Sequence, residues 1–417
     1  MVTIAEPRIA AVGETYDQPS TFTSQQHIPA LDGLRGVAIL VIMVHHFVTM
    51  PTARGFDIPF VLAAKAGWAG VDLFFVLSGF LITGILIDSR GAAGYARAFY
   101  ARRALRILPL YMATVAVLTI SLPITARFDP ECAHKFGTHI WWYWTHTTNV
   151  MLARAGNFDV VGFSTPHFWS LAVEEQFYLV WPILVAFCPP RRLAFACLAV
   201  ATVSIVLRLV LLANGTAPVA IYALTPTRMD GLAFGGALAV ARRSDSLWRI
   251  IEPSVQRVAR LPTAGWIGVT ALGVLGMALL DPVADHNAPA MQAIGFPMIA
   301  AVAAVVLAAA LRAPVGSPLQ RCLTAGWLRT CGRYSYGLYV LHYPLAHLLW
   351  SSGVDPRKLP AVDGSKLPAQ LLVIAAAGSL SFGAAWVSYR YLESPFLRVK
   401  RSVPVRLTRP IPASGRP

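Results

Sequence analysis

Charge is what this sequence has least of. Only 13% of its 417 residues are Asp, Glu, Lys or Arg, about half the share usual in soluble domains, whereas 56% are hydrophobic. The mean hydropathy is +0.57. Together with apolar runs near twenty residues, this deficit excludes a string of soluble domains and implies a multi-spanning helical membrane protein. Cysteine is also sparse: Cys132, Cys188, Cys197, Cys322 and Cys331 are scattered, with no C-x-x-C pair and no interleaved histidine cluster. A disulfide framework or structural metal is therefore not expected. There is no G-x-S-x-G elbow, Walker A loop or H-E-x-x-H, which removes several soluble hydrolase and ATPase classes. No internal repeat is evident, so the inverted-repeat transporter signature is missing. No cleavable signal peptide is visible, since the stretch 1–26 is polar.

Ten candidate spans remain, at about 36–50, 68–88, 105–122, 169–188, 193–213, 221–241, 264–281, 290–312, 334–352 and 369–391. The sixth is the least regular, because it contains Pro226, Arg228 and Asp230. With the N-terminus inside, 25 of the 35 basic residues fall on inner segments, eight on outer loops and two, Arg208 and Arg228, within spans. That asymmetry predicts an N-in, C-in topology and accounts for the net charge of +15 without nucleic acid. The expected organisation is a disordered cytoplasmic tail over 1–27, a membrane domain over 28–396 and a basic cytoplasmic tail over 397–417. The one long outer loop, 123–168, carries "HIWWYWTHTTNVML", which reads as an interfacial aromatic belt or as a platform for a sugar.

Polar groups inside such spans are costly in lipid and mark function or specific pairing. In "LDGLRGVAILVIMVHHF", Arg35 and His46 are eleven positions apart, almost three helical turns, and so share one face roughly 16 Å apart along the axis. His45 points about 100° away from that face. A neutral imidazole in a wet cavity suits general-base work, whereas Arg35 reads equally as a boundary anchor. "YARRALRILPLY" clusters Arg102, Arg103 and Arg106 on one surface, where guanidinium forks suit phosphates or simply decorate the inner boundary. "HFWSLAVEEQFYLVWP" brings Glu174 and Glu175 into the membrane; one of them pairs with His46, or with Arg208 or Arg228. In "RMDGLAFGGALA", Arg228 and Asp230 face different ways and each needs its own partner, while Gly235 and Gly236 permit close helix packing. Asp72, Ser78, Ser335, Tyr336 and His342 are further polar groups in apolar surroundings, read alone as packing or hydrogen-bond glue.

Taken in order, "IPALDGLRGVAILVIMVHHF", "GVDLFFVLSGFLITGIL", "RRALRILPLY", "FWSLAVEEQFYLVWP", "RMDGLAFGGALA", "YSYGLYVLHYPL" and "YLESPF" resemble the acyltransferase-3 family of integral membrane O-acyltransferases. The resemblance extends from Ile28 to Phe396. It implies transfer of an acyl group, usually acetyl, from acyl-CoA to a carbohydrate hydroxyl at the bacterial plasma membrane. The family's Arg, followed after ten intervening residues by His, falls on Arg35 and His46, making His46 the catalytic histidine. Its paired arginines fall on Arg103 and Arg106, linked to the acyl-CoA donor, and its functional glutamate matches Glu174 more closely than Glu175. Acyl-CoA is then a co-substrate, with no bound cofactor and no metal. The partners implied are membrane lipid and a polysaccharide or glycolipid acceptor. The chain looks like the stand-alone form without an SGNH-type domain, so a periplasmic relay would need a separate transferase. Two other readings stay open: acylation of a secreted glycoside such as a macrolide sugar, and a glycan or lipid exporter using the polar core as its pathway.

Overall fold

The computed structural model describes residues 28–49, 57–281 and 284–403. The tail 1–27 and residues 404–417 of the expected C-terminal tail lie outside them. Among the described residues the protein is helical with no strand, and the expected all-α polytopic architecture is what is found.

The first helix, α1 (Pro29–Phe47), starts seven residues ahead of the apolar run at 36. Pro29 occupies its first turn, where the fixed φ suits a helix and the missing N–H leaves nothing unpaired. Arg35 is therefore well inside the helix rather than at its entrance. A short α2 (Asp57–Lys65) and a 3-10 turn, Ala66–Ala69, lead into α3 (Gly70–Asp88). The next helix, α4 (Tyr95–Phe128), has 34 residues, about 51 Å of axis against a hydrocarbon layer of about 30 Å. It extends well beyond the expected span 105–122, because arginines near a boundary reach polar surroundings on long stems without breaking the helix.

The segment expected as an outer loop folds into α5 (Pro130–Thr138), α6 (Ile140–Trp144) and α7 (Thr148–Ala155). Its aromatic run is split, with Tyr143 buried and Trp141 74% exposed. Then come α8 (Phe168–Phe187), α9 (Pro190–Ala213), α10 (Pro218–Ala223) and α11 (Thr225–Ala241). The sixth expected span is thus two helices, broken at Leu224, whose extended backbone precedes the Thr225–Pro226 start of α11. After α12 (Asp245–Ala259) and α13 (Thr263–Leu280), a π-helical turn, Met291–Gly295, opens α14 (Phe296–Arg312). Short helices α15 (Pro318–Leu323) and α16 (Gly326–Arg333) precede α17 (Ser335–Ser351) and α18 (Leu367–Ser388). A second π-helical turn, Tyr389–Glu393, joins α18 to α19 (Ser394–Ser402).

Seven helices among the described residues are long and apolar enough to cross a membrane. They cover Pro29–Phe47, Asp57–Asp88, Tyr95–Phe128, Phe168–Phe187, Arg192–Ala213, Met291–Arg312 and Leu367–Lys400. The other three expected spans coincide with α11, α13 and α17, of 17, 18 and 17 residues.

The bundle keeps large apolar side chains on its outside, as lipid demands, and encloses its few buried polar groups within an apolar core. On α9, Phe195, Leu198, Val203 and Val206 are exposed, while Ser204 and Arg208 are fully buried. Helices α3 and α11 meet almost backbone to backbone. A Cβ on Gly79 would lie 1.9 Å from the Leu232 carbonyl oxygen, and one on Gly235 would lie 2.0 Å from that of Val76. Two ion pairs lie in the core beside this crossing, one to α3 and one to α9. Arg228 donates to Asp72 at 2.7 Å, and Arg208 donates to Asp230 at 2.6 Å. Arg228 also lies 4.0 Å from the centre of the Phe296 ring. Arg228 and Asp230, two positions apart, thereby tie α11 to different neighbours.

Candidate active site

Two chambers lie along α1. The first, of about 110 Å³, is lined by Arg35, Arg103, Arg106, Glu174, Glu175 and Ser78, together with Tyr178, Tyr336, Tyr339 and apolar neighbours. Three guanidinium groups from α1 and α4 thus share one space with two carboxylates from α8. The arginines are oriented by aromatic and acidic neighbours. Arg103 sits over the Tyr178 ring at 5.5 Å, and Arg35 lies 3.6 Å from Asp32, one turn earlier. Tyr178 donates to Glu174 at 3.3 Å, and its hydroxyl is also 2.6 Å from the Ser78 hydroxyl. Tyr336 donates to the Ile107 carbonyl at 2.6 Å, fastening α17 to α4. The arrangement offers fork-shaped cationic donors that match phosphate oxygens.

The second chamber, of about 230 Å³, is lined by His45, His46, His167 and His286, with Trp68, Tyr222, Tyr343 and other aromatic groups. On α1 it lies about 16 Å beyond Arg35, given eleven residues at the helical rise. Val71 and Tyr339 line both chambers and form the wall between them. Tyr339 is held there by its hydroxyl, 2.6 Å from that of Ser170 and 3.2 Å from the His167 carbonyl to which it donates.

The hydrogen bonds around His46 fix the role of each ring nitrogen. His342 Nδ1 lies 2.9 Å from the carbonyl oxygens of both Leu338 and Tyr339. Carbonyls only accept, so Nδ1 carries the proton and Nε2 of a neutral His342 is an acceptor. His46 Nδ1 lies 2.8 Å from that Nε2 and is therefore the donor. The remaining nitrogen, His46 Nε2, keeps its lone pair. Tyr343 stacks on the His46 ring at 4.5 Å, with 11° between the planes, and limits its rotation. His45 Nδ1 is 3.1 Å from the Ala64 carbonyl and donates to it, tethering that ring to α2.

The sequence-derived candidates thus divide into four groups. Arg35, Arg103, Arg106, Glu174, Glu175, Ser78 and Tyr336 meet in the first chamber, whereas His45 and His46 open on the second. His342 is buried behind His46 as its hydrogen-bond partner. Asp72, Arg228 and Asp230 belong to the buried ion pairs. Glu174 does not reach His46: its partner is Tyr178, and it lies across the wall from the histidines. It does not pair with Arg208 or Arg228 either, since those hold Asp230 and Asp72. Local pattern missed His167, His286, Tyr339 and Tyr343. Tyr339 and Tyr343 stand inside "YSYGLYVLHYPL", which matched a family motif, and His167 immediately precedes another, "FWSLAVEEQFYLVWP", whereas His286 lies in a polar connection with no signal of its own.

A bundle of apolar helices long enough to cross a bilayer, with cationic and imidazole chambers in line, defines a polytopic membrane protein whose buried groups suit acid–base chemistry. The chain belongs to the acyltransferase-3 family, whose acyltransferase domain matches residues 28–390. It is 28% identical over 394 residues to the peptidoglycan O-acetyltransferase OatA of Listeria monocytogenes, covering 90% of this chain and 57% of that protein. The putative peptidoglycan O-acetyltransferase YrhL of Bacillus subtilis is 30% identical over 77% of this chain and 49% of its own length. The O-acetyltransferase OatA of Staphylococcus aureus is 28% identical over 89% of this chain and 57% of its own. The chain therefore spans about half the length of these relatives. No solved structure matches it. The apolar helices and bacterial relatives make it a multi-pass protein of the bacterial plasma membrane.

Proposed function

We propose that the protein transfers an acetyl group from acetyl-CoA to a hydroxyl of a cell-wall carbohydrate. The carrying observation is the hydrogen-bonded series from the Leu338 and Tyr339 carbonyls through His342 to His46, which leaves His46 Nε2 as an unprotonated base facing a chamber. The donor enters from the arginine end, which the distribution of basic residues assigns to the cytoplasm, with both termini on that side. Arg35, Arg103 and Arg106 hold its phosphates, and the pantetheine arm follows α1 towards the wall at Val71 and Tyr339. The thioester reaches the second chamber past that wall.

There the acceptor oxygen attacks the thioester carbonyl carbon while its proton passes to His46 Nε2. The carbon–sulfur bond breaks, and the departing thiolate recovers the proton from the imidazolium. His342 stabilises that imidazolium by accepting from Nδ1, as a carboxylate does in other catalytic triads. Glu174, Glu175 and Tyr178 shape the donor end. The peptidoglycan named for two relatives supports a cell-wall glycan as acceptor.

The acceptor is tested by mass analysis of cell-wall glycan from strains with and without the gene. Loss of the acetyl increment from the glycan supports the assignment; an unchanged glycan together with a de-acetylated secreted glycoside moves the acceptor to that class. Movement of acceptor across vesicles loaded with purified protein, without acetylation, would make the chain an exporter.

A further inference from the structure

Outside both chambers, the fold gathers Asp129, Cys132 and His347 so that one ligand atom of each lies within 4.8 Å of the other two. We propose that these three residues bind a divalent zinc ion, leaving one coordination position open. The chemistry of the set is that of zinc: a thiol, an imidazole and a carboxylate, three protein ligands of the types zinc prefers. Asp129 Oδ2 and His347 Nε2 are 3.7 Å apart. Nitrogen and oxygen ligands about 2.1 Å from one tetrahedral ion would stand about 3.4 Å apart, so this pair is already close to the required spacing.

The surroundings orient the ligands as outer groups do in metal sites. The far nitrogen of His347, Nδ1, faces the Ser164 hydroxyl at 3.3 Å, which leaves Nε2 aimed at the cluster. The Phe163 N–H donates to Cys132 Sγ at 3.1 Å, a contact that suits a thiolate. Asp129 Oδ1 caps α5 by accepting from the Cys132 N–H at 3.0 Å, leaving Oδ2 for the ion. Phe163 and Ser164 deliver these contacts from consecutive left-handed conformations, φ +53° and +48°, which neither side chain favours. Cys132 is buried, while the Asp129 and His347 side chains are 38% and 26% exposed, so an ion has access.

Bound zinc would clamp α5 and the Phe163–Ser164 turn to α17. That helix carries His342, five residues before His347, and the turn leads to His167. The ion would thus stiffen the rim of the histidine chamber while taking no part in acyl transfer, and the proposal stands whether or not acyl transfer is the reaction.

The test uses the full-length protein, purified in detergent without a histidine tag, stripped with chelator and titrated with cobalt(II). One equivalent should bind and give the near-ultraviolet thiolate-to-cobalt band, and zinc should displace it. Cys132→Ser should abolish the band, and Ser164→Ala should weaken binding about tenfold while keeping it. Gel filtration and circular dichroism of each variant check its fold; protection of Cys132 from alkylation by zinc gives a readout on the unmutated protein. Absence of the band with zinc-independent alkylation, or equal metal uptake by Cys132→Ser, would overturn the site and leave an adventitious ion only.

Discussion

Nδ1 of His46 on α1 lies 2.8 Å from Nε2 of His342 on α17, and the two residues are separated by 296 positions in sequence. The contact makes His342 the group that orients the proposed base. His46→Ala should remove acetyl transfer. His342→Ala should lower kcat about 100-fold, the lower end of the range for a positioned base, with the donor KM unchanged. His342→Gln should recover part of the loss, because its side-chain carbonyl can accept from His46 Nδ1. Steady-state rates with acetyl-CoA read the outcome; equal rates for His342→Ala and the unmutated protein would break the link.

The first chamber makes the complementary prediction. Charge-assisted hydrogen bonds are worth about 1.5–3 kcal/mol each, so Arg103→Ala or Arg106→Ala should raise the acetyl-CoA KM about tenfold or more. The acceptor KM should stay constant. Donor titration at saturating acceptor distinguishes this from a purely topological role, for which the donor KM would not move.

Much of this was legible in the sequence, and the limit has a physical origin. Helical rise alone set Arg35 and His46 about 16 Å apart on one face, and basic clusters at 102–106 marked the cationic end. Nothing local distinguishes a carboxylate that meets His46 from one behind a wall, and Glu174 proved to lie behind it, against Tyr178. Which helix crosses which depends on close approaches such as Gly79 to Leu232, whose consequences for Asp72 and Arg228 appear only once α3 and α11 are packed. The same holds for Cys132: without a nearby second cysteine it carried no metal signal, because His347 is roughly two hundred residues away.

The wall between the chambers should govern which acyl groups pass. Val71 is buried in it beside Tyr339. Val71→Trp should obstruct passage and lower kcat while donor binding persists. Val71→Ala should favour longer acyl donors over acetyl, by about tenfold in relative kcat/KM, the order that a methylene or two of room confers. Competition between acetyl- and butyryl-CoA measures it. An unaltered preference in both variants would mean that the acyl group takes another route.

The buried ion pair is predicted to be structural. Arg228 and Asp72 have side chains 0% and 2% exposed. Arg228→Met should cost about 3–5 kcal/mol, because it leaves the Asp72 carboxylate buried without its counter-charge. Adding Asp72→Leu should restore most of the loss. Thermal unfolding in detergent reads this, and a double variant as unstable as the single one would contradict it.

The most direct test of the whole account is acetyl transfer by purified protein in lipid vesicles, with labelled acetyl-CoA on the arginine side and a cell-wall glycan on the histidine side. The unmutated protein should label the glycan, and a folded His46→Ala variant should still bind acetyl-CoA yet transfer nothing. Transfer at the normal rate by His46→Ala would contradict the assignment of His46 as the base and the mechanism built on it.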